Sequence, residues 1–405
     1  MGNRKNRIIF HIDVNSAFLS WSSVYNLQQG EAVDFREIPA VIGGDSKSRH
    51  GVVLAKSISA KKYNIKTGES IFSAKKKCPQ LKVIPPEHHL YRKYSNAMMD
   101  ILKTYTPMIE KFSIDECFMD LTGIKKAYED PENFALSIKE SIKKELGFTV
   151  NIGISSNKLL AKMASDFEKP DRIHTLYPDE IQKKMWPLPV ENLFMVGRAA
   201  VPRLHKLHIK TIGELANCDL KLLKNEFKNY GALIWNYARG IENSEVKDNS
   251  FIKAKSIGNS TTLSADIEDR VSAHKILLAL CETVSMRLRS SKSICKVVTV
   301  VIKNSDFISY SKQKQLYNAT DSTKDITKAA YEIFDKVWRG DKIRLLGVSV
   351  SHLSPNELYQ TSLFDSEGKM KNEKLDRTLD SIRSKYGSNS IMRGVFVKSK
   401  VKTIK

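Results

Sequence analysis

The sequence predicts an α/β and α+β multidomain protein, and three observations carry that prediction. Its 405 residues are enough for two to four domains and a sizeable core. The first 125 or so residues alternate short strand patterns with helical stretches, as α/β chains do. Further on, Phe251 to Ser354 reads strand, helix, strand, strand, helix, strand. That βαββαβ order makes one sheet with its helices on one side.

The elements follow in order. Arg7 to Val14 (R-I-I-F-H-I-D-V) is an apolar strand pattern that ends in an acid. Ala40 to Gly43 and Val52 to Lys56 read as strands joined by a glycine-rich polar turn. A helix over about Leu90 to Tyr105 precedes Pro107. Met108 to Phe112 and Cys117 to Leu121 form a hairpin pattern with Ser-Ile-Asp-Glu at its tip. Thr149 to Ile154 is another strand. Ser155, Ser156 and Asn157 are capping residues for a helix to about Glu168, with Leu159, Leu160, Met163 and Phe167 on one face and Pro170 as its stop. Trp186 to Arg239 is all helical, and Gly240 to Ser250 reads as a polar linker. Beyond Pro355 the chain is polar and lysine-rich, with Leu375, Leu379, Ile382 and Tyr386 at helical spacing and no evident purpose.

Composition narrows the class. No apolar run approaches the roughly 18 residues of a membrane span. The short apolar stretch after the basic N-terminus is no signal peptide, and Asn6 spoils a myristoylation signal at Gly2. Cys78, Cys117, Cys218, Cys281 and Cys295 are dispersed, without a C-x-x-C pair, which argues against a disulfide framework and a zinc site and for a reducing cytoplasm. Lys and Arg total 66 against 45 acids, a net charge of +21. Such a surplus points to a polyanionic partner, although a merely solvated lysine-rich surface fits the same count. The βαββαβ stretch is itself basic, with 17 Lys/Arg against 10 Asp/Glu.

Three carboxylates stand where a strand hands over to a turn: Asp13 at the end of the first strand, and Asp115 and Glu116 at the hairpin tip. Clustered carboxylates repel unless cations lie between them, and oxygen ligands without His or Cys suit magnesium or manganese. On spacing alone, three ordinary turn acids are the favoured reading. The segments Ile12-Asp13-Val14-Asn15-Ser16-Ala17-Phe18 and Ser113-Ile114-Asp115-Glu116-Cys117-Phe118-Met119-Asp120 resemble the two metal-binding motifs of Y-family DNA polymerases. The resemblance runs colinearly from about Ile8 to Gly394. It implies a low-fidelity, low-processivity translesion polymerase adding dNTPs to a primer 3′-hydroxyl on primer-template DNA. Asp13 and Asp115 would bridge two Mg2+ ions, with Mn2+ as a substitute. Glu116 would bind the catalytic ion, and the Val14 carbonyl would complete the other.

The same resemblance assigns the nucleotide site. Phe18 would be the steric gate under the deoxyribose, beside Ala17 where a second aromatic is commoner. Lys169, in Glu168-Lys169-Pro170-Asp171, matches a triphosphate-contacting lysine. Lys61 stands where most relatives carry arginine and Ile58 where they carry tyrosine, so Ser57 is expected to replace a lost donor. Val52 and Leu54 would roof the new base pair, and the size of Leu54 narrows the lesions expected to fit.

For DNA, Asn192 to Gly197-Arg198 followed by Ile209 to Leu215 resembles a helix-hairpin-helix, whose backbone N–H groups meet a phosphate. Met195 replaces its usual first glycine. Gln360-Thr361-Ser362-Leu363-Phe364 resembles a sliding-clamp peptide, with Gln360, Leu363 and Phe364 as its anchors. The implied architecture is a right-hand polymerase. Palm and fingers occupy 1–185 (fingers about 20–80), a helix-hairpin-helix thumb 186–240, a linker 241–250, a βαββαβ little finger 251–354, and a clamp-binding tail 355–405. A cytoplasmic monomer without membrane association is expected. Two alternatives are a palm-type nucleotide cyclase, for which the Gly43-Gly44-Asp45 turn speaks, and a catalytically inactive DNA-binding scaffold, against which the three intact acids speak.

Overall fold

The computed structural model describes residues 7–44, 51–248, 254–356, 367–387 and 390–397. They fall into two units, residues 7–44 with 51–248, and residues 254 onward. In the first unit, strands β1 (Ile9–Val14), β2 (Ala40–Gly43), β3 (Val53–Lys56), β4 (Lys82–Ile84), β5 (Ile109–Lys111), β6 (Glu116–Asp120), β7 (Val150–Ser155) and β8 (Ile173–Thr175) build two sheets. One runs β5-β6-β1-β7-β8 and the other β3-β2-β4.

All six residues of β1 are buried, because both faces of the larger sheet are covered. Phe10, Ile12 and Val14 point to a core shared with Tyr91, Met98 and Leu102 of helix His88–Lys103 and with Ile138 and Ile142 of helix Pro131–Leu146. Ile9, on the opposite face, joins Phe118 and Ala161. The period of two therefore sends both polar residues of β1, His11 and Asp13, toward helix Lys158–Ser165. His11 Nδ1 lies 2.8 Å from Ser165 Oγ, and burial holds the imidazole well below its usual pKa, helped by Lys162 and Lys169. That helix sits close on β7 because Gly153 has no side chain. A Cβ there would lie 1.9 Å from the Ala161 carbonyl oxygen.

From Trp186 to Arg239 the chain folds into short helices around a core of Leu193, Leu204, Leu215, Leu223 and Ile234. Met195 adopts φ +76°, the left-handed conformation for which glycine is the natural occupant.

The second unit is a sheet of β9 (Ser256–Ile267), β10 (Ser293–Asn304), β11 (Ser309–Thr320) and β12 (Ile343–Ser351), ordered β11-β10-β12-β9 with every pairing antiparallel. Helices Arg270–Ser290 and Thr323–Val337 pack on it through Leu277, Leu280, Val284, Ile333 and Phe334. The helical spacing after residue 367 is realised as helix Glu367–Tyr386, and this helix belongs to the unit. Asp376 accepts the Thr323 backbone N–H and pairs with the nearly buried Arg289, which also binds Asp380. Arg383 and Arg393 converge on the buried Glu282. Among the described residues no helix is long and apolar enough to cross a membrane.

Candidate active site

Asp13 lies directly opposite Glu116 in the β1–β6 ladder. Directly opposed residues in an antiparallel pair share a face, so both carboxylates project toward helix Lys158–Ser165. Asp115 just precedes β6, and its carbonyl accepts the Val14 N–H at 3.1 Å, which ties the hairpin tip to the end of β1. The tip is set by Ser113. Its hydroxyl accepts the N–H groups of Asp115 (3.2 Å) and Glu116 (3.1 Å) and donates to Asp115 Oδ1. Asp120, at the far end of β6, pairs with Arg7 and caps Thr122.

Two lysines answer these acids. Lys169 forms an ion pair with Asp13 and another, at 2.8 Å, with Asp166. Lys162 Nζ lies 2.7 Å from Glu116 Oε1. Burial pushes the Asp13 carboxyl up to about 6; Lys169 pulls against that rise, and Glu116 and Asp166 add to it. Burial disfavours the Lys169 ammonium, but Asp13 and Asp166 outweigh it and leave its pKa raised. Among the described residues no group of three or more Asp, Glu, His or Cys is arranged to hold a metal ion. The donor chemistry nevertheless suits a hard divalent cation. It is oxygen-only, and its buried carboxylate is answered by an amine where a cation is needed.

A cleft of about 370 Å³ is lined by Asp13, Val14, Ala17, Phe18, Leu54, Lys61, Asp115, Glu116 and Lys169, together with Lys56 and Thr67. Nine residues expected from the sequence thus line one cleft. Phe18, near the start of helix Ala17–Gln28, stacks on Tyr91 with centroids 4.4 Å apart and planes 8° apart, and the edge of His88 meets it at 6.2 Å. The ring is braced from behind. A neighbouring cleft of about 330 Å³ shares Asn15, Ser16, Lys61 and Lys169 and adds Ser57, Ile58 and Arg36.

Not every expected residue reaches the cleft as a donor. Ser57 lines the neighbouring cleft, but its hydroxyl is engaged within the chain. Its hydroxyl donates to the Ile38 carbonyl and accepts the N–H groups of Ala60 and Ala40, and the residue is 1% exposed. As the N-cap of helix Ile58–Lys61 it has no hydrogen to offer a nucleotide. Val52 is exposed, bridges to Ser70, and does not line the cleft, whereas Leu54 does. Gly197 and Arg198 stand exposed in the turn before helix Val201–Lys206 and line neither cleft. Gln360, Leu363 and Phe364 lie outside the described residues. Sequence reasoning passed over Ser113, Tyr91 and Lys162. Only Lys162 left a signal, a lone cation inside the apolar helical run L-L-A-K-M-A.

A rim of carboxylates beside a cleft lined by a stacked phenylalanine, with a separate basic sheet domain, is consistent with a nucleotidyl-transfer enzyme of the polymerase class. Residues 12–166 match the impB/mucB/samB family and residues 254–363 match that family's C-terminal domain. The chain belongs to this family, the Y-family DNA polymerases. Over 98% of its length it is 55% identical to DNA polymerase IV of Clostridium acetobutylicum, all of which it covers. It is 37% identical to DNA polymerase IV of Acetivibrio thermocellus, over 97% of this chain and 98% of that protein. Among solved structures, a Y-family DNA polymerase chimera aligns with a TM-score of 0.74 over 86% of this chain and 100% of its own. At 23% identity it speaks for the fold. Family membership leaves the cyclase and inactive-scaffold readings without support.

Proposed function

We propose that Asp13, Asp115 and Glu116 carry the chemistry of this chain. As a family member it is a DNA-directed DNA polymerase of translesion synthesis, acting on primer-template DNA and dNTPs and dependent on divalent metal. The observation that best supports the assignment is the register of Asp13 opposite Glu116, with Asp115 tied to Val14. Asp13, Asp115, Glu116 and the Val14 carbonyl would hold two Mg2+ ions, with Mn2+ as a substitute. When bound, such a pair activates the primer hydroxyl and neutralises the leaving pyrophosphate.

The remaining roles belong to the chain itself. Phe18, fixed by its stack on Tyr91, would exclude a 2′-hydroxyl, with Ala17 leaving room beside the sugar. Lys169 and Lys61 would take the triphosphate, a role that suits their place in both clefts. Leu54, and less directly Val52, would bound the new base pair. Gly197 and Arg198 would meet a DNA phosphate, and Gln360, Leu363 and Phe364 would engage a sliding clamp. In this reading, palm and fingers span 1–185, the thumb 186–240, the linker 241–250, the little finger 251–354 and the tail 355–405. The protein would work as a cytoplasmic monomer.

The test is Asp115→Ala. It should abolish primer extension in Mg2+ while a gel-shift assay still detects primer-template binding. Near-normal turnover by the variant would end the assignment.

A further inference from the structure

Lys162 differs from the other lysines of the site. It is 8% exposed, and its ammonium sits over the rings of Phe112 and Phe194, 5.3 and 5.5 Å from their centroids. Those rings meet each other edge to face at 6.0 Å. Three stretches thus converge on one cation: the helix that carries it, the residue after β5, and the segment after the short helix Val190–Asn192. Lys169 is by contrast 30% exposed in its side chain and lies beside open cleft, with room to leave Asp13. Lys162 is caged; Lys169 is not.

A buried ion pair is a poor means of gaining stability, since well-packed apolar residues of similar volume serve as well or better. Two aromatic faces around an ammonium do favour keeping the charge. The pair also divides the oxygens of Glu116. Oε1 takes Lys162, while Oε2 has no hydrogen bond among the described residues and Glu116 lines the cleft.

We propose that Lys162 is a positioning residue for Glu116. It holds Oε1, leaves Oε2 to the cleft, and supplies a fixed positive charge that keeps a divalent cation from settling on the carboxylates before a nucleotide arrives. This rests on reading Glu116 as a metal ligand. A merely structural lysine would hold the fold together and leave metal affinity alone. A positioning cation makes the opposite demand: its loss should tighten metal binding in the nucleotide-free protein while slowing the chemistry.

The test uses the full-length protein and Mn2+, with the free ion read by electron paramagnetic resonance. Without DNA or nucleotide, Lys162→Met should bind Mn2+ about tenfold more tightly than wild type, because a nearby positive charge is gone. Lys162→Arg should match wild type. In primer extension, Lys162→Met should lose roughly 10- to 100-fold in kcat, the usual effect of removing a ligand's supporting partner. Its KM for dNTP should change little. If Lys162→Met does not fold, Lys162→Gln keeps a donor to Glu116 without the charge. It should tighten Mn2+ similarly and retain more kcat. Mn2+ affinity that is unchanged or weaker in the neutral variants overturns the proposal. Glu116→Gln separates the two readings. If it leaves Mn2+ binding intact in the presence of DNA and dNTP, Glu116 is no metal ligand and both readings fall. If it weakens that binding while Lys162→Met behaves as wild type, only the role of Lys162 falls.

Discussion

Replacing Gly153 by alanine should disturb the active site without touching a single charged group. A Cβ at this position would stand 1.9 Å from the Ala161 carbonyl oxygen and 2.5 Å from the Ser165 nitrogen, where contacts under 3.0 Å do not occur. Both are backbone atoms, so no rotamer change relieves the clash. Helix Lys158–Ser165 must back away from β7 by about 1 Å, an overpacking that costs about 1–3 kcal/mol. In a unit of this size each kcal/mol lowers Tm by roughly 2–4 °C. The same retreat pulls Lys162 off Glu116, stretching a 2.7 Å contact beyond hydrogen-bond range. Misplacement of about 1 Å near a reacting centre can cost on the order of 100-fold in rate. Differential scanning calorimetry and single-nucleotide primer extension should therefore both register the change, with kcat/KM down at least tenfold. An unchanged Tm with full kcat/KM would mean that the helix yields freely and that its seat on β7 does not position the site.

Three further outcomes follow from particular residues. Phe18→Ala removes the ring braced by Tyr91 and should raise ribonucleotide incorporation. The ratio of dNTP to rNTP efficiency measures this, and unaltered discrimination would assign Phe18 to the core alone. Met195→Gly relieves a left-handed residue at φ +76° and should stabilise the protein by about 0.5–1 kcal/mol, after the greater freedom of glycine in the unfolded chain is subtracted. A lower Tm would show that the Met195 side chain contributes more than its backbone costs. Replacing Gln360, Leu363 and Phe364 together by alanine should leave clamp-free synthesis unchanged and remove stimulation by a loaded clamp, since tethering acts through effective concentration. Equal stimulation of both proteins would make the Q-T-S-L-F match accidental.

How much of this was legible depended on the range of the interaction. The strand ending in Asp13 and the hairpin carrying Asp115 and Glu116 are local apolar patterns, and the structure has them as β1, β5 and β6 within a residue or two. Strands β4 and β8 have three residues each, too few for a period to show. At Ser57 the sequence is ambiguous because the same hydroxyl serves a nucleotide or a helix cap, and only the fold shows its bonds to Ile38, Ala40 and Ala60. Helix Glu367–Tyr386 was visible as spacing. Its purpose as a brace was not, because Arg289 and Glu282 meet it across 87 to 101 residues of chain.

The pairing of Lys162 with Glu116 spans 46 residues and was equally hidden, yet it changes how the site's charge is understood. From the sequence, the three acids look like an excess of negative charge awaiting metal. Folded, Asp13 and Glu116 each already hold a lysine, so the rim lacks the strong bare field that would capture divalent ions alone. A triphosphate with its two cations is close to neutral as a unit, and such a unit meets little opposition from a site that is itself nearly balanced. Lys169 is exposed and shared between Asp13 and Asp166, and in the proposed reading it would transfer to the phosphates as that unit enters. Lys162, enclosed by Phe112 and Phe194, stays with Glu116. The asymmetry between one movable and one fixed lysine is what would let metal and nucleotide arrive together while the geometry of Glu116 is held.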